Sequence, residues 1–247
     1  MRKDLYLEMY QLEEAYWWHV AKRMLVKKLL SMYVDNYFQK KLVDVGCGTG
    51  KFLQEMNVWQ DWGELLGLDG SDEAIRFTKE RHIANVKKAN FEKKLPLRSK
   101  TYDVITSLDV VEHINDDQHL VNEFYRVLKP GGLVVITVPA HQWLWTYWDE
   151  MLGHFRRHNK KSVTSLFSTA GFEIEKISYF YSYLLPIAII FRLLKSSNKH
   201  KQQSSDFIKV PWIVNVILLM KAFLEKETIQ YFNIPFGLSV VCVARKT

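Results

Sequence analysis

Cysteine is scarce. The 247 residues hold two, Cys47 and Cys242, both inside apolar stretches rather than in loops. Thiols so placed exclude a disulfide framework and suit a reducing compartment. Met1 to Val20 mixes charged with apolar residues and lacks a continuous hydrophobic segment, so no secretory signal is read there and a cytoplasmic protein is expected. Long apolar runs are also missing. The two most apolar stretches, "YLLPIAIIF" (183–191) and "VPWIVNVILLM" (210–220), fall well short of the ~20 residues that span a bilayer. There is no internal repeat, which excludes a solenoid or propeller. What the chain does have is 48% apolar residues, 14% of all residues being aromatic, enough for a folded chain with a sizeable core.

Short runs rich in Val, Ile and Leu alternate with helical stretches. Strands are expected at Lys41–Val45, Leu65–Asp69, Asn85–Lys88, Asp103–Leu108 and Leu133–Pro139. Helices are expected at Leu5–Tyr33, Gly50–Met56, Asp72–Arg81 and Asp117–Leu128, the last closed by a Lys129-Pro130-Gly131-Gly132 turn. Such alternation argues for an α/β, doubly wound parallel sheet. Phe172–Tyr183 and Gly237–Arg245 read as two further strands with an irregular apolar segment between them.

The most informative stretch is "KLVDVGCGTGKFLQEM", residues 41–56, where a strand stops at Gly46, Gly48 and Gly50 before a helix begins. In a doubly wound sheet this turn lies at the ligand crevice, and its glycines let a ligand approach the backbone. The spacing is G-x-G-x-G rather than the G-x-G-x-x-G of a pyrophosphate site. Asp44 inside the strand would repel a pyrophosphate and suits a ligand carrying an ammonium group. Asp69, nineteen residues past Gly50, ends the second strand where an acid can accept ribose hydroxyls. A nucleoside with an ammonium group and no phosphate describes S-adenosylmethionine.

"LVDVGCGTG" (42–50), "GLDGS" (67–71), "YDVITSLDVVEHI" (102–114) and "VLKPGGLVVITVP" (127–139) together resemble the class I S-adenosylmethionine-dependent methyltransferases, of the type 11/12-like group, in order and separation. The resemblance covers roughly Lys41 to Pro139. It implies a seven-stranded, Rossmann-like methyltransferase sheet with an N-terminal helix and an α-helical insertion before the last strand. It also implies one methyltransferase domain over 1–247: an N-terminal cap at 1–35, a cofactor-binding core at 36–180, an apolar and basic insertion at 181–236, and the last strand at 237–247. By the same resemblance Asp44, Gly46 and Gly48 hold the methionine part and Asp69 the ribose. Gly70, Ser71, Asn90 and Phe91 take the adenine side, with the Asn90 side-chain oxygen on the adenine amine, and Ser107 and Leu108 offer carbonyls to the ammonium group. Asp103 reads as a structural acid at the start of its strand. Cys47 has nothing nearby to activate its thiol. No metal is assigned.

Methyl transfer from a sulfonium needs alignment first, and a base only where the acceptor must lose a proton. His113 follows the fourth strand; His141, His154 and His158 lie in "VPAHQWLWTYWDEMLGHFRRH", and any of the four could be the base. In relatives with this D-E-x-L-G-H-x-R-R pattern the segment resembles an acceptor-site loop. Arg156 and Arg157 could clamp an anionic acceptor, and Trp143, Trp145 and Tyr147 could wall its pocket. The pair Trp17-Trp18 suits either a cover over the cofactor cleft or packing of its helix on the sheet edge.

Arg192 to Lys226 carries seven Lys or Arg against Asp206 and Glu225, +5 of the formal +7. Basic residues beside short apolar runs suit an anionic membrane surface better than nucleic acid. Neither a separate recognition domain nor an N-P-P-Y-type motif points to nucleic acid. The expectation is a cytoplasmic, membrane-peripheral O-methyltransferase for a hydrophobic or lipid-linked acceptor. A soluble enzyme for a small metabolite or sugar, or a catalytically silent cofactor-binding partner subunit, remain as alternatives. Ordinary core packing is the competing reading of the two apolar runs.

Overall fold

Leu42-Val43-Asp44-Val45 is buried along its whole length because both faces of its strand are covered. Val43 and Val45 point into one apolar layer and Leu42 into the other, as the two-residue period of a strand requires. The same division recurs wherever the chain alternates strand and helix. The computed structural model describes residues 3–195 and 210–247. In chain order these form α1 (Lys3–Leu12), α2 (Trp17–Tyr33), β1 (Lys41–Val45), α3 (Lys51–Trp59), β2 (Glu64–Asp69), α4 (Asp72–Glu80), β3 (Val86–Lys88), β4 (Tyr102–Leu108), α5 (Asp117–Val127) and β5 (Leu128–Pro139). Then follow α6 (Tyr147–Leu152), α7 (Lys160–Thr169), β6 (Phe172–Phe180), α8 (Leu185–Lys195), α9 (Trp212–Tyr231) and β7 (Ser239–Lys246).

The strands make one seven-stranded sheet in the order β3-β2-β1-β4-β5-β7-β6. β1 to β5 are parallel, and β7 runs antiparallel between β5 and β6. The seven-stranded α/β, Rossmann-like sheet expected from the sequence is therefore present. The order reverses between β1 and β4, which sets the crevice beyond the C-terminal ends of these strands. Asp103 at the start of β4 accepts from the Lys41 amide at 2.9 Å and pairs with Lys129 at 2.8 Å, a structural role at the opposite end.

Two elements differ from the sequence reading. Leu5–Tyr33 is two helices rather than one, broken where Glu13 and Glu14 turn onto Arg81, Glu13 at 2.8 Å. The Lys129-Pro130-Gly131-Gly132 turn is absorbed into β5 as an irregularity, Tyr102 pairing with Leu128 but Val104 with Leu133. Gly131 takes φ 75° there, a value that favours glycine. The α-helical insertion expected before the last strand is present as α8 and α9.

α9 is fastened inward by polar groups. Asn215 accepts from the Trp17 amide at 2.9 Å and donates to Ala15 at 3.0 Å. Glu225, 6% exposed, accepts from the amides of Tyr181 at 2.9 Å and Ser182 at 2.8 Å. Glu225→Ala should strip two amides of their partner and lower unfolding free energy by about 2 kcal/mol or more. A urea titration with an unchanged midpoint would show that α9 is held by something else.

Candidate active site

The loop after β1 is shaped by its neighbours before any ligand arrives. The amides of Gly46 and Cys47 donate to the Leu68 carbonyl at 2.8 and 2.9 Å, joining the ends of β1 and β2. Gly46 holds φ 80°, and a Cβ on it would lie 2.2 Å from Val110 Cγ2. Glycine is thus required there by the protein itself, whatever the ligand. Asp69, at the end of β2, accepts from the amides of Gly48 and Ser71, each at 2.9 Å. One carboxylate thereby ties the glycine loop to the start of α4, where Ser71 is the N-cap. Burial pushes the Cys47 thiol well above its usual range, with Asp69 and Asp44 adding to it, so Cys47 is inert.

Asp44 is 2% exposed and accepts from Thr106 Oγ1 at 2.7 Å. Burial pushes its carboxyl up to about 7, against the Thr106 bond, and Asp69 raises it further. A cation beside it, such as a sulfonium and ammonium ligand would provide, would favour its ionised form. Around this loop lie the other residues expected to hold S-adenosylmethionine. The Ala89 amide donates to the Asp69 carbonyl at 2.9 Å, so the ends of β2 and β3 meet beside Asn90 and Phe91. Asn90 Oδ1 already accepts from the Glu92 amide at 2.9 Å, which competes with the adenine contact expected of it. Ser107, at the end of β4, is fully buried with its hydroxyl unpartnered among the described residues, and Leu108 follows.

α1 lies across this crevice. Its Tyr6 hydroxyl, beside Asp69 and Ser71, is pushed up to about 12 by burial and then by Asp69. Met9 faces Gly48, and Tyr10 stacks on Phe77 at 4.7 Å. The cover over the crevice is therefore α1. Trp17 and Trp18 pack elsewhere: Trp18 stacks on Tyr181 at 4.1 Å and Trp17 meets the same ring edge-on at 5.6 Å.

Beyond β4 the second half of the site is built on Asp109, which Thr137 Oγ1 meets at 2.7 Å and Lys22 joins as an ion pair. Burial alone would raise this carboxyl, but Lys22 and Thr137 bring it below its usual range. A 3₁₀ turn at Val111–His113 comes next. The Glu112 side chain is fully buried and neither oxygen has a partner among the described residues. Burial, then the charge of Asp109, pushes that carboxyl well above its ordinary range. The His113 ring lies 4.5 Å from the ring of His154. Burial, then His154, lowers His113 to about 4.

The D-E-x-L-G-H-x-R-R segment is a self-contained lock. Asp149, 1% exposed, caps α6 and holds Arg157 through two bonds, at 2.7 and 2.8 Å, and His154 Nδ1 at 2.9 Å. These partners depress its carboxyl far below the usual range despite burial. Arg156 pairs with Asp117 at 2.6 Å and donates to the Asn115 carbonyl at 2.7 Å. Both guanidiniums are thus paired with carboxylates of the chain, and an anionic acceptor clamped by Arg156 and Arg157 would share them with Asp117 and Asp149.

Of the four histidines, the structure brings His113 and His154 together and separates the others. His141 stacks on Tyr179 at 4.9 Å and bonds toward Gly237. His158 sits between Asp117, at 3.7 Å, and Ser162, at 3.3 Å. Trp143 and Tyr147 are 49% and 61% exposed, and Trp145 bonds Glu150 at 3.4 Å, so these aromatics form an open rim rather than a closed wall. Sequence reasoning does not single out Tyr6, Lys22, Glu112 or Asp149. The available signal was an acid inside an apolar stretch, as at Glu112 and Asp149, where an unpaired charge is costly.

A family model described as a methyltransferase domain matches residues 17–177. A Mycolicibacterium smegmatis protein named "Probable S-adenosylmethionine-dependent methyltransferase/" is 29% identical over 140 residues, 55% of this chain and 53% of that protein. The ubiquinone biosynthesis O-methyltransferase of Pectobacterium carotovorum is 28% identical over 110 residues, 42% of this chain and 45% of its own. The chain spans about half the length of these curated relatives. Among solved structures, a Thermotoga maritima protein described as a SAM-dependent methyltransferase, possible histamine N-methyltransferase, superposes with a TM-score of 0.60 at 16% identity, covering 99% of this chain and 96% of that one.

Proposed function

The chain belongs to the S-adenosylmethionine-dependent methyltransferase family, and on that premise we propose that it methylates an oxygen of a hydrophobic or lipid-linked acceptor while resting on an anionic membrane in the cytoplasm. The bound cofactor supplies an activated methyl group. Asp44, Gly46 and Gly48 hold its methionine part, with Ser107 and Leu108 at the ammonium. Asp69 holds the ribose, and Gly70, Ser71, Asn90 and Phe91 flank the adenine. His113 and His154 are the residues placed to take a proton from the acceptor hydroxyl, His154 with its ring fixed by Asp149.

The observation that carries the acceptor class is the outward face of α9. Ile213, Ile217, Met220 and Leu224 recur at helical spacing and are 47% to 64% exposed, while Ala222, Glu225 and Ile229 face inward. An apolar face turned to solvent does not fit the core-helix reading of this segment. Trp212, 74% exposed, begins the same helix, and Ile187 and Ile190 of α8 are exposed beside the loop that carries Trp143. Among the described residues no helix is long and apolar enough to cross a membrane, so such a face would lie in the interface. The basic stretch around Lys199, Lys201 and Lys209 lies outside the described residues, but its charge, with that of Lys195 and Lys221, belongs to the same segment. Among the relatives the ubiquinone biosynthesis O-methyltransferase favours an oxygen acceptor, whereas a phosphoethanolamine N-methyltransferase of Arabidopsis thaliana, 38% identical over 104 residues, favours a nitrogen one.

Co-sedimentation with phosphatidylglycerol vesicles tests the reading. Wild type should sediment, less so as salt screens the lysines. Ile217→Glu/Leu224→Glu, which removes two interfacial anchors worth ~1.5–3 kcal/mol each when buried, should reduce binding at least about tenfold. Equal, negligible sedimentation of both proteins would favour a soluble acceptor such as a small metabolite or sugar.

A further inference from the structure

Glu112, His113 and His154 each offer one ligand atom, and these three atoms lie within 4.8 Å of one another. From this cluster we infer that the chain binds a divalent first-row transition-metal ion, of the zinc class, through two imidazoles and the Glu112 carboxylate. Three features point the same way. The first is the donor set: two His and one carboxylate is a set that binds such ions while leaving coordination positions open, and its nitrogens select against magnesium and calcium.

The second is the state of Glu112. Its side chain is fully buried, both of its oxygens lack a partner among the described residues, and one of them is a member of the cluster. Buried carboxylates are paired, hydrogen-bonded or bound to a metal. The two cations whose charge reaches Glu112 are committed elsewhere, Lys22 to Asp109 and Arg157 to Asp149.

The third is the support around both rings. A metal-binding histidine as a rule donates its other ring N–H to a carboxylate or a backbone carbonyl, which fixes the tautomer and orients the ring. His154 has Nδ1 on Asp149 at 2.9 Å, leaving Nε2 for the ion. Asp149 is in turn gripped by Arg157. His113 bonds the Gly153 carbonyl. The Phe155 amide, 2.8 Å from the Glu112 carbonyl, holds the two ligand-bearing segments together. This gives the D-E-x-L-G-H-x-R-R segment a reason for its residues: Asp149 and Arg157 position a ligand rather than touch an acceptor. Donors on one tetrahedral zinc stand ~3.4 Å apart, so side-chain rotation of about an ångström closes the set.

Binding of the ion does not depend on the proposed reaction. What the ion does there rests on it: the open positions would hold an acceptor oxygen and favour its deprotonated form, in place of proton transfer to His113 or His154, whose ring nitrogens the ion would occupy.

The test uses the full chain, stripped with chelator and titrated with cobalt(II). Visible absorption should saturate at one equivalent and be displaced by zinc. Glu112→Gln, His154→Gln and the positioning variant Asp149→Asn should each weaken zinc at least about tenfold in a competition with a chromophoric chelator. S-adenosylmethionine binding, measured on the same samples, reports that each variant is folded and is read separately from the metal. Absence of cobalt absorption in wild type, or zinc affinity unchanged in all three variants, would overturn the site even with cofactor binding intact.

Discussion

Asp69→Ala lowers the affinity for S-adenosylmethionine by about 10²-fold or more. In the wild-type chain this carboxylate is 7% exposed and already orders both walls of the crevice, through Gly48 and Ser71. The Tyr6 hydroxyl, bonded to Ser71, lies near enough to feel the charge of Asp69. Two charge-assisted bonds of ~1.5–3 kcal/mol each are lost, along with the order of the loop. Calorimetry gives the number, and wild-type affinity in this variant would remove Asp69 from the cofactor site. Gly46→Val is a poorer probe, because its side chain would collide with Val110 before it met a ligand.

Asp44 adds a pH signature. Its carboxyl titrates at about 7 in the free chain against 3.8 ordinarily, and a cationic ligand favours the ionised form. Affinity should therefore rise roughly tenfold per unit as pH climbs toward about 7 and flatten above it, a slope that Asp44→Asn should abolish. For the free chain the sign is opposite. A folded-state pKa above the unfolded one contributes stability that is complete below 3.8 and lost as pH rises through about 7.

The second large effect concerns turnover. His113→Gln and His154→Gln should each lower it by about 10²-fold or more with S-adenosylmethionine affinity retained. His141→Gln and His158→Gln should cost less than tenfold, since Tyr179 and Asp117 hold those rings in other surroundings. A loss confined to His141 or His158 would move the acceptor site to the far side of the loop. Loss in none would mean that alignment alone suffices.

The cofactor half of the site was legible because it depends on local chemistry. A glycine turn after a strand, an acid inside that strand and an acid ending the next one are set by spacing of a few residues, and the sheet then places them together. The acceptor half depends on contacts between distant segments. Nothing near His154 in sequence says that its neighbour is His113, since that meeting is made by the return of the chain after α6 to the turn at Val111–His113. The partners of Arg156 and Arg157 were hidden for the same reason: Asp117 and Asp149 were visible as acids but not as neighbours. The break at Glu13 was hidden too, because Arg81, which draws it out of the helix, is far along the chain. α9 was legible as apolar and short, but which of its faces turned inward was decided by Asn215 and Glu225, two polar residues in a greasy run.

The most direct measurement uses S-adenosylmethionine labelled in its methyl group. The purified chain is incubated with it and with an extract of its host, separated afterwards into lipid and aqueous fractions. Label should enter a compound of the lipid fraction as a methyl ether or ester, and Asp69→Ala should abolish the transfer. Label confined to water-soluble compounds, or no enzyme-dependent label in either fraction, would contradict the account.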